Sequence, residues 1–387
     1  MATILWTILF SPNAEGKVSI IPLPAISTSR NEGLEVGNLT AILFTDEKGE
    51  VKYIMAPSVT VNQTTGVNFF WRLLGFQEGD RDYQIVTGHS LDVDYEFSGR
   101  YQDPKFLDGR YAYSVNFAFF RDTTYRFFGF TNQSRSENET NYADGELKGL
   151  LSFGRNFNQF YQLSFTERVR RVRIDLGKVK SLPFTGTIFP DAPGLQGALV
   201  LGHRLSLTYD SRDDVSTTST GRYGAVYAEM AHDFEQNASP FQKFGLDLRT
   251  WFPTAGKRYI TALRSRVELT TGQHRSFYEQ SSLGGEDSLR NFGANRFIDD
   301  HSILFNLEER IDLLKTSIFN VVAEWEFAPF LDIGKVFSDF GKRVFQDYQV
   351  NPGIGFRALV RPNVVGRFDF GFGPEGATAF VGLGFPF

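Results

Sequence analysis

Residues 282–297 read SLGGEDSLRNFGANRF, and a single arginine, Arg290, stands between Leu289 and Phe292. A guanidinium keeps its charge at any working pH and can bind a carboxylate through two parallel hydrogen bonds. Carboxylates recur in two nearby stretches, Glu308 in HSILFNLEERIDLL and Glu324, Glu326 and Asp332 in VVAEWEFAPFLDIGKVF. The chemistry these residue types offer is ionic pairing in a place with little water. On the residues alone, the plain reading of Arg290 is a solvated loop side chain.

Other chemistry finds less support. Five histidines occur, His89, His203, His232, His274 and His301, none in a Gly-x-Ser-x-Gly context or a His-Glu-x-x-His spacing. The glycine-bearing stretch lacks Gly-Lys-Ser/Thr, so it does not read as a phosphate loop. Without cysteine there is no disulfide framework, thiolate nucleophile or thiolate-bound metal. The acidic residues could ligate calcium through oxygen, but Arg264, Arg266 and Arg310 nearby favour an ion-pair network. The expectation is a protein that is not an enzyme, with no catalytic residue, cofactor or metal. The run RVRRVRI at 168–174 has two readings, approach to anionic headgroups at a membrane rim or a solvated strand extension. The net charge of -5 gives no footprint for nucleic acid.

The elements that carry these charges alternate strictly. In 301–314, Ile303, Phe305, Leu307, Ile311 and Leu313 share one parity, and Asn306, Glu308, Arg310 and Asp312 the other. In 321–337, Val321, Ala323, Trp325, Phe327, Leu331 and Ile333 oppose Glu324, Glu326 and Asp332. The stretches LQGALVLGHRLSLTYD and FQKFGLDLRTWF repeat the pattern. Period two is a strand with one apolar and one charged face. That fits a soluble antiparallel sheet or a transmembrane barrel with its polar face in the lumen. Many runs span about 11–16 residues, beyond the usual strand and long enough to cross a bilayer at a tilt. Short links alternate with long ones, as in outer-membrane barrels. The 40 phenylalanines and 15 tyrosines suit strands and interfacial girdles. The longest strongly apolar stretch, ILWTILF at 4–10, is far too short for a membrane helix.

The fold expected is therefore all-β, a transmembrane antiparallel β-barrel of about sixteen strands. Strands are expected to begin near Gly33, Glu50, Gly66, Asp82, Arg110, Asp144, Gln159, Leu195, Gly221, Phe241, Lys257, His301, Ile318, Gln349, Asn363 and Gly376. The barrel domain covers 33–387. Residues 1–32 form an N-terminal segment, read either as a signal-peptide remnant plus a short periplasmic lead or as an apolar segment packed elsewhere. The chain ends AFVGLGFPF, where Gly382, Phe385 and Phe387 fit Gly-x-x-aromatic-x-aromatic. A terminal strand with free backbone groups pairs with the first strand when the barrel closes. Pro386 lacks an N–H and fits only a strand end or bulge.

Four segments resemble the bacterial surface antigen superfamily, the BamA- and TamA-type outer-membrane assembly and translocation barrels. Loop 282–297 looks like the family's sixth extracellular loop, with Leu289, Arg290, Asn291 and Phe292 on its aliphatic-Arg-Gly-aromatic motif. FLDIGKVF, with Phe330, Asp332 and Gly334, resembles its Phe-x-Asp-x-Gly strand, and NLEER, with Asn306, Glu308 and Arg310, its Asn-x-Glu-x-Arg strand. LTYDSRDDVSTTSTGRY resembles a periplasmic Asp-x-Arg-Asp turn, with Asp210, Arg212 and Asp213. The likeness is specific over 195–387 and looser before, where YRFFGFTNQSRSENETNY looks similar to an early family segment. It implies a barrel with the long loop folded into the lumen, where Arg290 reaches Asp332 with Glu308, Glu324 and Glu326 as further partners, and that the loop joins the eleventh and twelfth strands. It implies an outer-membrane location and contact with lipid. It also implies contact with the assembly machinery through Gly382, Phe385 and Phe387 at the C-terminal strand.

Three departures stand out. Asn291 replaces the motif glycine, and asparagine tolerates left-handed φ. The proline usual after the Asp-x-Arg-Asp turn is missing. The roughly 32 residues ahead of the first expected strand are too few for a POTRA module, which puts that mode of client capture in question and brings in a separate periplasmic partner. The function implied is insertion or translocation of polypeptides at the outer membrane. The alternative is a structural or passive channel-forming barrel that moves no protein.

Overall fold

The computed structural model describes residues 17–387 apart from 30, 32, 48–49, 92–93, 236–239, 274, 319–320, 342–343, 345 and 361–363. Twenty strands follow in chain order: β1 (Val18–Ser29), β2 (Gly33–Thr45), β3 (Val51–Asn62), β4 (Gly66–Gln77), β5 (Arg81–Ser90), β6 (Tyr95–Phe106), β7 (Tyr111–Phe127), β8 (Thr140–Asn156), β9 (Tyr161–Leu176), β10 (Ala198–Asp210), β11 (Gly221–Asp233), β12 (Phe241–Thr254), β13 (Tyr259–Thr271), β14 (Ser281–Leu283), β15 (Phe297–Asp299), β16 (His301–Ile318), β17 (Val321–Phe337), β18 (Gln349–Val360), β19 (Val364–Gly373) and β20 (Gly376–Leu383). Eighteen form one antiparallel sheet, and β14 and β15 form a small ladder inside the loop between β13 and β16. Each barrel strand pairs with its sequence neighbour, β13 with β16 across that loop, and β20 meets β1 to close the ring.

Burial settles which of the two architectures the alternation describes. On β16 the apolar Phe305 and Leu307 are 43% and 39% exposed, while Asn306, Glu308 and Arg310 are buried. Phe97, Leu151, Phe165, Leu205 and Leu248 likewise face outward and exposed around the ring. A sheet in water would show the reverse. Charges inside and an apolar belt outside are the pattern of a lipid-embedded barrel.

The count is eighteen strands rather than about sixteen, because β1 and β6 are not among the expected strands. In β6 the pair Asp103-Pro104 resembles a turn; in the sheet it sits at a register shift between Asp103 and Phe106, where a missing N–H is tolerated. β1 carries no charge and two prolines, Pro22 and Pro24, and was expected to lie outside the barrel. The barrel therefore begins at Val18, not Gly33; residues 1–16 lie outside the described residues. Both additions precede the long loop, which joins the thirteenth and fourteenth barrel strands instead of the eleventh and twelfth.

One end of the ring carries short turns, such as 157–160 and 255–258, and the other long segments at 128–139, 177–197 and 272–300. Short turns mark the periplasmic end. The exception there is the ten-residue turn 211–220, whose Thr217, Thr218 and Ser219 are buried.

Strand pairing is uneven around the ring. β7 and β8 share fifteen register pairs. Between β1 and β20 the described residues record one, Thr28 with Ala379. Ladder hydrogen bonds hold a barrel shut, so this seam is its weakest join. A Thr28→Cys/Ala379→Cys variant in this cysteine-free chain should form an internal disulfide on mild oxidation, seen as a mobility shift on non-reducing gels. No shift in folded, membrane-inserted protein would refute the register.

Candidate functional site

Period two turns the charges of β16, β17, β18 and β19 into the lumen, and the register sets them side by side: Asn306 opposite Asp332, and Asp332 opposite Asn351. The loop 272–300 folds down onto this wall. Its tip brings Arg290, fully buried, over the Phe330 ring at 3.4 Å. Arg290 Nε and Nη2 each donate to Asp332 at 2.9 Å, and Nη1 donates to Glu308 at 2.8 Å. The Arg290 backbone N–H also donates to Asp332, at 3.1 Å.

Glu308 is the hub of the cluster. Besides Arg290 it accepts from Arg310 Nε at 3.0 Å and Arg357 Nη2 at 2.8 Å. Arg357 Nη1 donates to Asp369 at 2.7 Å, and Asp369 lies 3.6 Å from Arg290. Three guanidinium groups thus face three carboxylates, all six at most 1% exposed. Removing a partner from such a set leaves a buried charge uncompensated, which costs about 3–5 kcal/mol.

The other two expected carboxylates do not reach Arg290. Glu324 accepts from Lys315 at 2.5 Å. Glu326, buried, stands opposite Arg357 in register and acts electrostatically on Arg310.

The remaining motif residues are local devices. Leu289 and Phe292 pack with Leu283, Phe297, Leu304 and Val336 in an apolar cluster beneath the loop. Asn291 does not adopt the left-handed φ expected of the residue replacing glycine; Asn295 does, at φ +56°. Instead the buried Asn291 amide, oriented to satisfy its neighbours, donates to the carbonyls of Gly376 (2.7 Å) and Gly371 (3.2 Å) and accepts from the Gly373 N–H (3.1 Å). The loop backbone thus lies directly on β19, where a Cβ at Gly371 would sit 2.6 Å from the Arg290 carbonyl oxygen.

In the Asp-x-Arg-Asp turn, Arg212 folds back on Asp210 with hydrogen bonds of 2.9 and 2.6 Å. Asp213 accepts from the N–H groups of Ser219 (2.9 Å) and Thr220 (3.0 Å), from the Ser219 hydroxyl and from Lys257. These hydroxyl and amide contacts supply the rigidity that the absent proline would give. Burial opposes ionisation of Asp213, but these donors outweigh it and bring its carboxyl down to about 2. The turn reaches the hub, because the Thr218 carbonyl accepts from Arg310 Nη1 at 3.2 Å. At the C-terminus, Gly382 lies in β20, while Phe385 stacks 3.5 Å from the Arg310 guanidinium and Phe387 packs on Trp251, Ile260 and Ala262. The terminal aromatics face the lumen rather than extending the strand along β1.

Sequence reasoning missed a second ionic cluster. Glu279, at the start of the loop and 1% exposed, receives Lys243 at 2.6 Å and both Arg168 and Arg170 at 3.0 Å. Arg168 also binds Glu229 at 2.6 Å, and Arg170 binds Glu146 at 2.8 Å. The run at 168–174 therefore alternates: Arg168 and Arg170 point into the lumen, while Arg171 is 57% exposed beside Glu235. Neither single reading of that run covers both faces. Glu279 gave no signal of its own, since FYEQ carries no period. Arg357, Arg367 and Asp369 did alternate, in GFRALV and GRFDFG. Of the four described histidines, His203 lies by Glu167, His232 by Phe234, and His301 by Phe337; His274 lies outside the described residues.

Burial raises the cost of ionising Glu279, but Lys243, Arg168 and Arg170 outweigh it and hold the carboxyl well below the usual carboxylate range. A depressed carboxyl contributes stability that is full above its ordinary value of 4.5 and is lost only as the pH falls through the folded value. Glu279→Gln should cost about 3–5 kcal/mol at neutral pH, read as earlier loss of heat-modifiability, and the gap to wild type should narrow in acid. An unchanged transition at pH 7 would contradict the ionic account.

A family model described as the Omp85 superfamily domain matches residues 85–373. Among solved structures, BamA from Haemophilus ducreyi lacking POTRA domains 1-3 is 11% identical, with a TM-score of 0.56, covering 93% of this chain and 74% of that one. CdiB from Escherichia coli is 14% identical with a TM-score of 0.58, covering 94% and 67%. CdiB from Acinetobacter baumannii is 13% identical with a TM-score of 0.53, covering 96% and 66%. These identities speak for the barrel fold alone. A search of curated protein sequences returns no match. The family model spans most of the chain and, with the lipid-facing belt, places it in the bacterial outer membrane: the chain belongs to the Omp85 superfamily.

Proposed function

We propose that this barrel inserts or translocates polypeptides at the outer membrane, with the buried Arg290–Asp332–Glu308 clasp keeping its lumen in register while the seam gives way. The observation that carries the reading is the contrast between the two regions. One wall, β16–β19, is fixed by the loop through six buried charges, while among the described residues β1 and β20 show one register pair. A strand edge that is only partly paired is a template for another strand. The clasp lets that edge open without collapse of the wall beside it. Outer-membrane lipid and a separate periplasmic client carrier are the partners this reading requires. Gly382, Phe385 and Phe387 would meet the assembly machinery before closure, since the finished barrel holds both aromatics inside.

A passive channel is the second reading. Its support is a cavity of about 460 Å³ lined by Gln84, Ser98, Arg100, Asn116 and Lys148, on the wall that the loop leaves uncovered. Site-specific photo-crosslinking from β1 and β20 in living cells separates the two. Client adducts at the seam support transport. Steady single-channel conductance without seam adducts would overturn it.

Arg290→Ala should destabilise the barrel by about 3–5 kcal/mol and expose loop 272–300 to protease. Unaltered heat-modifiability and protease resistance would count against the clasp. Exchanging charges, Arg290→Asp with Asp332→Arg, should restore only part of the loss, because the new carboxylate at 290 then faces Glu308.

A further inference from the structure

We infer that Pro22 and Pro24 keep the periplasmic half of the seam unzipped and thereby send the last four residues, 384–387, into the lumen as a latch. In an antiparallel pair the N–H and C=O of a residue face the same neighbour, and alternate residues face opposite neighbours. Thr45 N–H donates to the Lys17 carbonyl at 3.0 Å, in register with the β1–β2 ladder, which runs from Val18 to Ser29 without a shift. Odd residues of β1 therefore bond to β2, and even residues face β20. Pro22 and Pro24 are both even. The seam edge of β1 lacks a donor at two successive positions.

The other edge gives the same phase independently. Gly384 N–H donates to the Val365 carbonyl at 2.8 Å, in register with the β19–β20 ladder. Even residues of β20 therefore bond to β19, and odd ones face β1. Thr28 is even and Ala379 is odd, as their pairing requires. Continuing that register toward the periplasm sets Leu383 opposite Pro24 and Phe385 opposite Pro22. β20 ends at Leu383, at the first of these prolines. There the chain turns through Gly384, whose φ of +87° suits glycine.

What leaves the sheet is received inside. Phe385 lies over Arg310, which also holds the Thr218 carbonyl and Glu308. Phe387, 8% exposed, packs on Trp251, Ile260 and Ala262 on the lumen side of β12 and β13. Tail, turn 211–220 and loop clasp thus meet at one guanidinium. The prolines decide between two places for the tail, a zipped seam or a latched lumen.

The test uses the full chain in lipid nanodiscs. In Pro22→Val/Pro24→Val, backbone deuterium exchange at Leu383 and Phe385, whose amides face β1, should slow at least tenfold as the ladder extends. A Phe387→Cys/Ala262→Cys pair, bridged by a short bifunctional maleimide, should crosslink readily in the proline background and several-fold less in the valine background. Pro24→Val alone should protect Leu383 but not Phe385, which keeps the test usable if the double variant assembles poorly. Equal exchange and equal crosslinking in both backgrounds would overturn the role of the prolines. Absence of the 262–387 crosslink in the proline background would overturn the latch itself.

Discussion

One buried carboxylate, Glu308, takes three guanidinium groups, and the rest of the lumen is arranged around that fact. Charges taken out of water must find partners or they destabilise the fold. Arg290 comes from the loop, Arg310 from the same strand as Glu308, and Arg357 from two strands further round. Asp332 and Asp369 complete the balance. Four strands and a loop are thereby bound to one another.

The loop is anchored at more than its tip. Glu279 docks on β9 and β12 by ion pairs, and Arg296, beyond the tip, binds Ser134 and Glu375 at 2.8 Å. The segment thus reaches back four barrel strands from its own origin and forward to the β19–β20 turn. A polar loop of this length would be costly in an apolar core; here Glu279, Arg290 and Arg296 each meet an opposite charge. Rigidity is concentrated on the wall from β8 to β19, and the pairing thins toward β1 and β20.

Much of this was legible in the residues. Strict alternation in 301–314 and 321–337 gave the strands, the lumen face and the carboxylates, because side-chain direction in a strand follows parity alone. The resemblance added the partner of Arg290. What escaped has physical causes. β1 has two prolines and no charge to mark a lumen face, and β6 is interrupted by a register shift beside Asp103-Pro104. Asn291 was expected to matter through its backbone, yet it acts through its side-chain amide. Arg168 and Arg170 looked like part of a basic surface run, yet alternate arginines turn inward to Glu146, Glu229 and Glu279.

By itself, the sequence determined a β-barrel with apolar residues outside, charges inside and one long polar loop, because period two, strand length and turn spacing are local properties of a chain. The tertiary structure alone decided which charges meet, since Glu308 and Arg357 are brought together by strand register and not by any spacing between them. It also decided that Glu324 serves Lys315 instead of Arg290, and that the terminal phenylalanines end inside the barrel. Those outcomes depend on closure of the ring, which fixes every register and leaves one edge where two prolines cannot donate.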